Sequence, residues 1–469
     1  PCSALSRPRS TRRRRYLRRI TPEFSNETCE SRSNLNNKGT SGKAWAKIMN
    51  DLLVRWLLVC ALSVGFADIA AAQLEFDVVG SANRRTPVAV VPFGWEGEGP
   101  EAPYDVEGVI AADLNRSGRF RPIPENDMLQ KPTTSIDVDF DDWSILGVEA
   151  VVIGKITQTG ANAYSVQFQA FDVFSREQLV GYRMPASRGT MRRVAHRAAD
   201  MIYEELTGIP GVFGTKVAYV SASGRGDDRN YSLIVSDMDG ENEFTIMESG
   251  NPIMSPAWSP DSRQLAYVSF EEEVSTIFVQ TLRTGNRIKV SSRAGINGAP
   301  AFSPDGRKLV LTLGGVDGNL DIHVLDLRSR ELTRLTTNRA IDTEGTWAPD
   351  GQTIFFTSDR SGGPQVYSVG IDGGTPQRVT FEGGYNARPR LSPDGSRLAL
   401  VTLDRGNYRI GILDLDDKDL LIVSTGNQDD SPSFAPNSDS LIYATRQGGD
   451  GVLEMVSADG LVRQRLGSG

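Results

Sequence analysis

SPAWSPDSRQLAYVS, residues 255–269, recurs four times in altered form: APAFSPDGRKLVLTL (299–313), GTWAPDGQTIFFTSD (345–359), RPRLSPDGSRLALVT (388–402) and SPSFAPNSDSLIYAT (431–445). The prolines of the repeated turn, Pro260, Pro304, Pro349, Pro393 and Pro436, stand 44, 45, 44 and 43 residues apart. A fixed period of this size marks stacked or radial repeats, and four-stranded propeller blades fall within it.

Each copy divides in the same way. A short apolar piece meets a Pro-Asp-Gly turn, and a β-rich apolar run begins four residues after the Asp or Asn. A third run follows (STIFVQTL, NLDIHVLDL, PQVYSVGI, YRIGILDL), then a fourth (RIKVSS, ELTRLTT, QRVTFE, DLLIVST). Four short strands with Gly, Asn and Asp between them predict an antiparallel blade. The earlier stretch 216–247 carries the last three runs without the first, which brings the count to six blades. The chain stops at LVRQRLGSG (461–469), before another PAWS-like piece. The expectation is therefore a missing closing C-terminal strand, through a chain cut short at its end or a first blade of three strands.

The Asp of SPDG invites a catalytic reading, yet it recurs in four units and is Asn437 in the fifth. Pro pre-sets φ, Asp bonds its own backbone and Gly takes the φ > 0 corner, so Asp305 reads as a turn residue.

Residues 86–210 alternate differently. PVAVVPF (87–93), EAVVIGKIT (149–157), YSVQFQAFDVF (164–174) and QLVGYRMP (178–185) read as strands. YDVEGVIAADLNRSG (104–118) carries Val106, Val109, Ile110 and Leu114 at helical spacing. TMRRVAHRAADMIYEELTG (190–208) predicts a second amphipathic helix, capped by Thr190 and ended by Gly208. The predicted fold is a small α/β N-terminal domain, hinged at GIPGVFG (208–214) to a six-bladed all-β propeller over 211–469.

The first 72 residues read apart from the rest. RPRSTRRRRYLRR (7–19) is either a nucleic-acid arm or part of a disordered or translated upstream extension over 1–48. The second reading is preferred, because the first Met is Met49 and a fresh start follows it. Residues 49–72 run from Arg55 through WLLVCALSVGFA to Ala70-Ala71-Ala72, a secretory signal peptide with cleavage expected after Ala72. Cys2, Cys29 and Cys60 all precede that point, so the processed chain has no thiol or disulfide chemistry. It would keep 38 basic against 54 acidic residues, a net charge of −16, which disfavours nucleic acid and favours protein partners. The predicted destination is the periplasm, with no direct membrane span.

No constellation for catalysis stands out. His196 and His323 fall in different domains, no G-x-S-x-G elbow occurs, and no phosphate loop or EF-hand loop is present. No cofactor and no metal are expected. The candidate positions lie just before each innermost strand, where loops gather at the channel mouth: Met254, Asn297, Ala299, Thr343, Glu344, Arg388 and Asp430. Ahead of the α/β domain, QLEFDVVGSANRR (73–85) alternates apolar and polar residues without a hairpin partner.

The ordered combination of VAVVPF, IAADLNRSGRF (110–120), EELTGIPGVF (204–213), LIVSDMDG, MSPAWSPDS, NGAPAFSPDG and PQVYSVGIDGGTPQRVT (364–380) resembles the TolB family over residues 73–469. That resemblance implies a non-enzymatic periplasmic adaptor of the Tol-Pal system, acting in outer-membrane constriction at division and in outer-membrane integrity. It implies that the lipoprotein Pal binds at the propeller mouth. It implies too that TolA binds the segment after the signal peptide, Gln73, Leu74, Glu75, Phe76, Asp77, Val78 and Val79. Other outer-membrane or periplasmic proteins remain open as partners. The alternative is a propeller hydrolase or lyase acting on glycans or peptides. Gly345 departs from the pattern, standing where Pro256 and Pro300 stand in neighbouring repeats.

Overall fold

The computed structural model describes residues 2–5 and 85–466, apart from 225, 273, 316 and 317. Over 86–207 one mixed sheet runs Phe120–Pro122, Thr86–Val90, Ala150–Gly160, Ala163–Asp172, Gln178–Ala186, with Gly94–Glu96 added beside Ala150–Gly160. The first pairings are parallel and those among the three long strands antiparallel. Successive side chains alternate between faces. Val88, Val90 and Val152 pack under α1 (Val106–Arg116) and α3 (Met191–Thr207), while Ala89, Val91 and Val151 join Trp143 of α2 (Phe140–Ile145) on the other face.

Burial on both faces explains why these strands read as continuous apolar runs. Val106, Ile110 and Leu114 of α1, and Val194, Ala198 and Ile202 of α3, are buried as their spacing predicts. Gly208 closes α3 at φ 72°. Thr190 starts α3 differently from the expectation: its hydroxyl bonds Ser187 in a capping box one turn earlier. The short helix α2 has no counterpart in the sequence reading.

Six four-stranded sheets follow. Blades two to six begin at Ile253–Trp258, Asn297–Phe302, Asp342–Trp347, Asn386–Leu391 and Asp430–Phe434, and each runs outward in chain order through antiparallel neighbours. Neighbouring blades share cores, as where Val310 and Ile322 of blade three meet Trp347 and Phe356 of blade four. Asp305 is a turn residue: its carboxylate accepts from the Ser303 hydroxyl at 2.6 Å and the Arg307 N–H at 3.0 Å, and Gly306 takes φ 72°. Those two hydrogen bonds hold its pKa below the usual carboxylate range.

Blade one does not stop at the three strands expected of it. Its innermost position is not vacant: Cys2–Leu5 fills it, parallel to Lys216–Ser223, with Cys2 opposite Val217. The physical reason is the row of unpaired N–H and C=O groups that Lys216–Ser223 would otherwise present, which an extended segment satisfies in either direction. The C-terminal strand Arg463–Leu466 lies at the outer edge of blade six and does not close the ring.

Candidate interaction site

The innermost strands of blades two to six all carry a bulge near their start, where pairing slips between Met254 and Ala257 and at the four equivalent places. Ser255, Ala299, Glu344, Arg388 and Ser431 sit there with φ between 45° and 58°. Side chains seldom adopt this left-handed region. A bulge of this kind re-aims the side chain it carries, and here Glu344 and Arg388 reach across neighbouring blades.

Two of the bulge N–H groups are held by the preceding blade. Glu344 N–H donates to Thr312 Oγ1 at 3.1 Å, and Arg388 N–H donates to Thr357 Oγ1 at 3.0 Å. A chain of charges then crosses three blades. Arg388 Nε lies 2.9 Å from Glu344 Oε1, and its Nη1 bonds Asp430 and, at 3.0 Å, the Ser431 hydroxyl. Thr357 also donates to Glu344 Oε2 at 3.1 Å.

Exposed apolar side chains lie at the same end of blades three to five: Ile296, Ile341, Phe381, Leu403 and Tyr408. Tyr408 meets Tyr385 edge-on, with ring centroids 5.1 Å apart. Burial, together with the negative charge of Glu344, pushes the Tyr385 hydroxyl up to about 12. Charges fixed by backbone and flanked by apolar groups suit protein recognition, where aromatic anchors and desolvated charge pairs carry most of the energy.

Thr343, Glu344, Arg388 and Asp430 are thus gathered on successive blades, and Met254 and Ala299 occupy the matching places on blades two and three. Asn297 stands apart. It is 1% exposed, donates to Arg293 O at 2.8 Å and accepts from Ser291 Oγ at 2.6 Å and Arg293 N–H at 3.0 Å. Its amide locks the loop beneath the mouth and offers no surface. Residues 73–79 lie outside the described residues.

Against known proteins, the family model for the TolB amino-terminal domain matches residues 74–179, and that for the TolB beta propeller domain matches 203–469. The chain belongs to the TolB family. A Tol-Pal system protein TolB from Xanthomonas euvesicatoria pv. vesicatoria (strain 85-10) is 47% identical over 417 residues, 88% of this chain and 95% of that protein. The one from Xanthomonas campestris pv. campestris (strain B100) matches to the same extent. The crystal structure of TolB from Acinetobacter baumannii aligns with a TM-score of 0.77 at 38% identity, covering 84% of this chain and 97% of that one. Membership makes this a Tol-Pal system protein and disfavours the hydrolase or lyase alternative. No described helix is long and apolar enough to cross a membrane.

In this TolB-family chain the α/β domain packs on the propeller end opposite the mouth. Arg119 Nη2 meets Asp439 Oδ2 at 3.0 Å, and Asn437 Nδ2 donates to Pro210 O at 3.0 Å. A second charged cluster lies in that seam. His196 Nδ1 is 2.6 Å from Asp113 Oδ2, Arg116 Nη1 is 2.5 Å from Asp113 Oδ1, and Arg192 bonds Asp239. The sequence signal was the four-residue spacing of Arg192, His196 and Asp200, which puts them on one helix face. Nothing local announced their partners in another domain.

Proposed function

We propose that this chain is a non-enzymatic periplasmic adaptor that binds Pal at the propeller mouth and TolA through residues 73–79, supporting outer-membrane constriction during division and outer-membrane integrity. The observation that carries the reading is the Glu344–Arg388–Asp430 chain across three blades, bordered by exposed apolar residues. It supplies fixed charge for orientation and apolar area for affinity, the two parts of a protein-binding surface. For the segment 73–79, an alternating apolar–polar strand without a hairpin partner suits pairing with the sheet edge of a partner. Export by the signal peptide, with cleavage after Ala72, brings the chain to those partners.

The test is capture of the processed protein on immobilised Pal and, separately, on TolA. Arg388→Ala should weaken Pal capture at least tenfold while TolA capture is unchanged, and deleting 73–79 should do the reverse. Full Pal binding by Arg388→Ala would overturn the mouth assignment, and full TolA binding by the deletion would overturn the segment assignment.

A further inference from the structure

The seam between the domains holds an ionisable cluster that binding at the mouth leaves unexplained. Arg192, His196 and Asp200 follow one another at four-residue spacing along α3 and face three different neighbours. Arg192 reaches the blade-one turn at Asp239, lies 3.6 Å from Asp237 Oδ2 and donates to the Tyr104 hydroxyl at 3.0 Å. Asp200 accepts from the linker N–H groups of Phe213 at 2.6 Å and Gly214 at 3.3 Å. His196, 3% exposed, stands between Asp113 of α1 and Asp239 of blade one.

The two imidazole nitrogens are treated unequally. Nδ1 is bonded to Asp113 within the α/β domain. Nε2 is buried with no hydrogen-bond partner and faces Asp239 Oδ2 of the propeller at 3.7 Å. A neutral imidazole that donates through Nδ1 turns a bare lone pair toward that carboxylate, and an unsatisfied buried polar atom is costly. The doubly protonated ring turns an N–H toward it instead, so the second proton acts across the seam.

Asp113, His196 and Asp239 bring ligand atoms within 4.8 Å of one another, as a metal site would. Arg116 and Arg192 already pair with the two carboxylates that an ion would need as ligands. The groups facing His196 are Asp113 and Arg116 on α1, Arg192 and Asp200 on α3, and Asp237 and Asp239 in the blade-one turn, with Lys216 and Glu241 behind them. Gln464 of blade six completes the cluster: with its amide turned to satisfy both ends, it donates to Arg116 O at 2.5 Å.

We infer that His196 is a proton-operated latch, which tightens the α/β domain onto blade one when its ring carries the second proton and loosens the seam when that proton leaves. The readout is amide exchange in the full chain over residues 208–215 and 236–243, corrected for intrinsic rates, between pH 5.5 and 8. Protection in the wild-type chain should rise as pH falls, by up to about tenfold per pH unit for one linked proton. Asp200→Asn, which removes the other group near the linker whose charge changes in this range, should retain the part of the response that belongs to His196, and adding His196→Gln, which keeps a donor toward Asp113 but cannot charge, should abolish it.

A pH-independent wild-type seam, a response that survives in the double variant, or a response lost already in Asp200→Asn would each overturn the latch. If the double variant fails to fold, NMR titration of the wild-type imidazole decides. A ring that changes charge in step with exchange supports the latch, and one that keeps a single charge state across the range sinks it.

Discussion

Arg388 on blade five reaches back to Glu344 on blade four, with Nε 2.9 Å from Oε1, and forward to Asp430 on blade six. One guanidinium thus ties three blades at the mouth. Its planar fork of donors is what lets a single side chain serve both carboxylates.

Removing that guanidinium takes from two half-buried carboxylates the cation that bonds them both. Arg388→Ala is expected to lower stability by about 1–3 kcal/mol in urea titration. Arg388→Lys should recover only part, since a point charge cannot hold both partners at once. A lysine variant as stable as the wild type would show that the fork geometry is unimportant.

Gly345 breaks the proline pattern for a steric reason. A Cβ there would lie 2.8 Å from Val310 Cγ2 of the preceding blade. Gly345→Ala should cost about 1–3 kcal/mol by overpacking. In a double-mutant cycle, Val310→Ala should remove most of that cost. Simple additivity of the two changes would reject the explanation.

Burial pushes Asp200 up to about 6, against the opposing pull of the Phe213 and Gly214 N–H groups. A raised folded pKa means its contribution to stability is fully present below the unfolded value of 3.8 and is lost as pH rises through 6. That loss amounts to about 3 kcal/mol at most, two pKa units' worth. Relative to wild type, Asp200→Asn should therefore gain stability between pH 4 and pH 7. Denaturation midpoints that shift in parallel for the two proteins would contradict this.

Cleavage after Ala72 would carry Cys2–Leu5 away and bare the inner edge of Lys216–Ser223. A chain starting at Gln73 is expected to melt lower than the full chain, by about 2–4 °C for each kcal/mol lost. It should also self-associate more readily, because an open strand edge templates pairing. Equal melting temperatures and equal monomer fractions would mean that the parallel strand contributes nothing.

The blade count, the order of strands in each blade and the role of Asp305 were legible in the sequence. All three depend on contacts within about 40 residues, and a repeat displays such contacts several times over. The bulge positions were nearly legible as well: Glu344, Arg388 and Asp430 were singled out because blades disagree there. The same logic also picked Asn297, which is buried, since variation between blades does not tell an exposed side chain from one that locks a loop from inside.

What only the tertiary structure decided is where distant segments meet. His196 lies 83 residues from Asp113, and Asp239 belongs to another domain. Cys2–Leu5 pairs with a strand more than 200 residues away. Such contacts leave no local period or turn signal, because they depend on the packing of whole elements and not on the preferences of neighbouring residues.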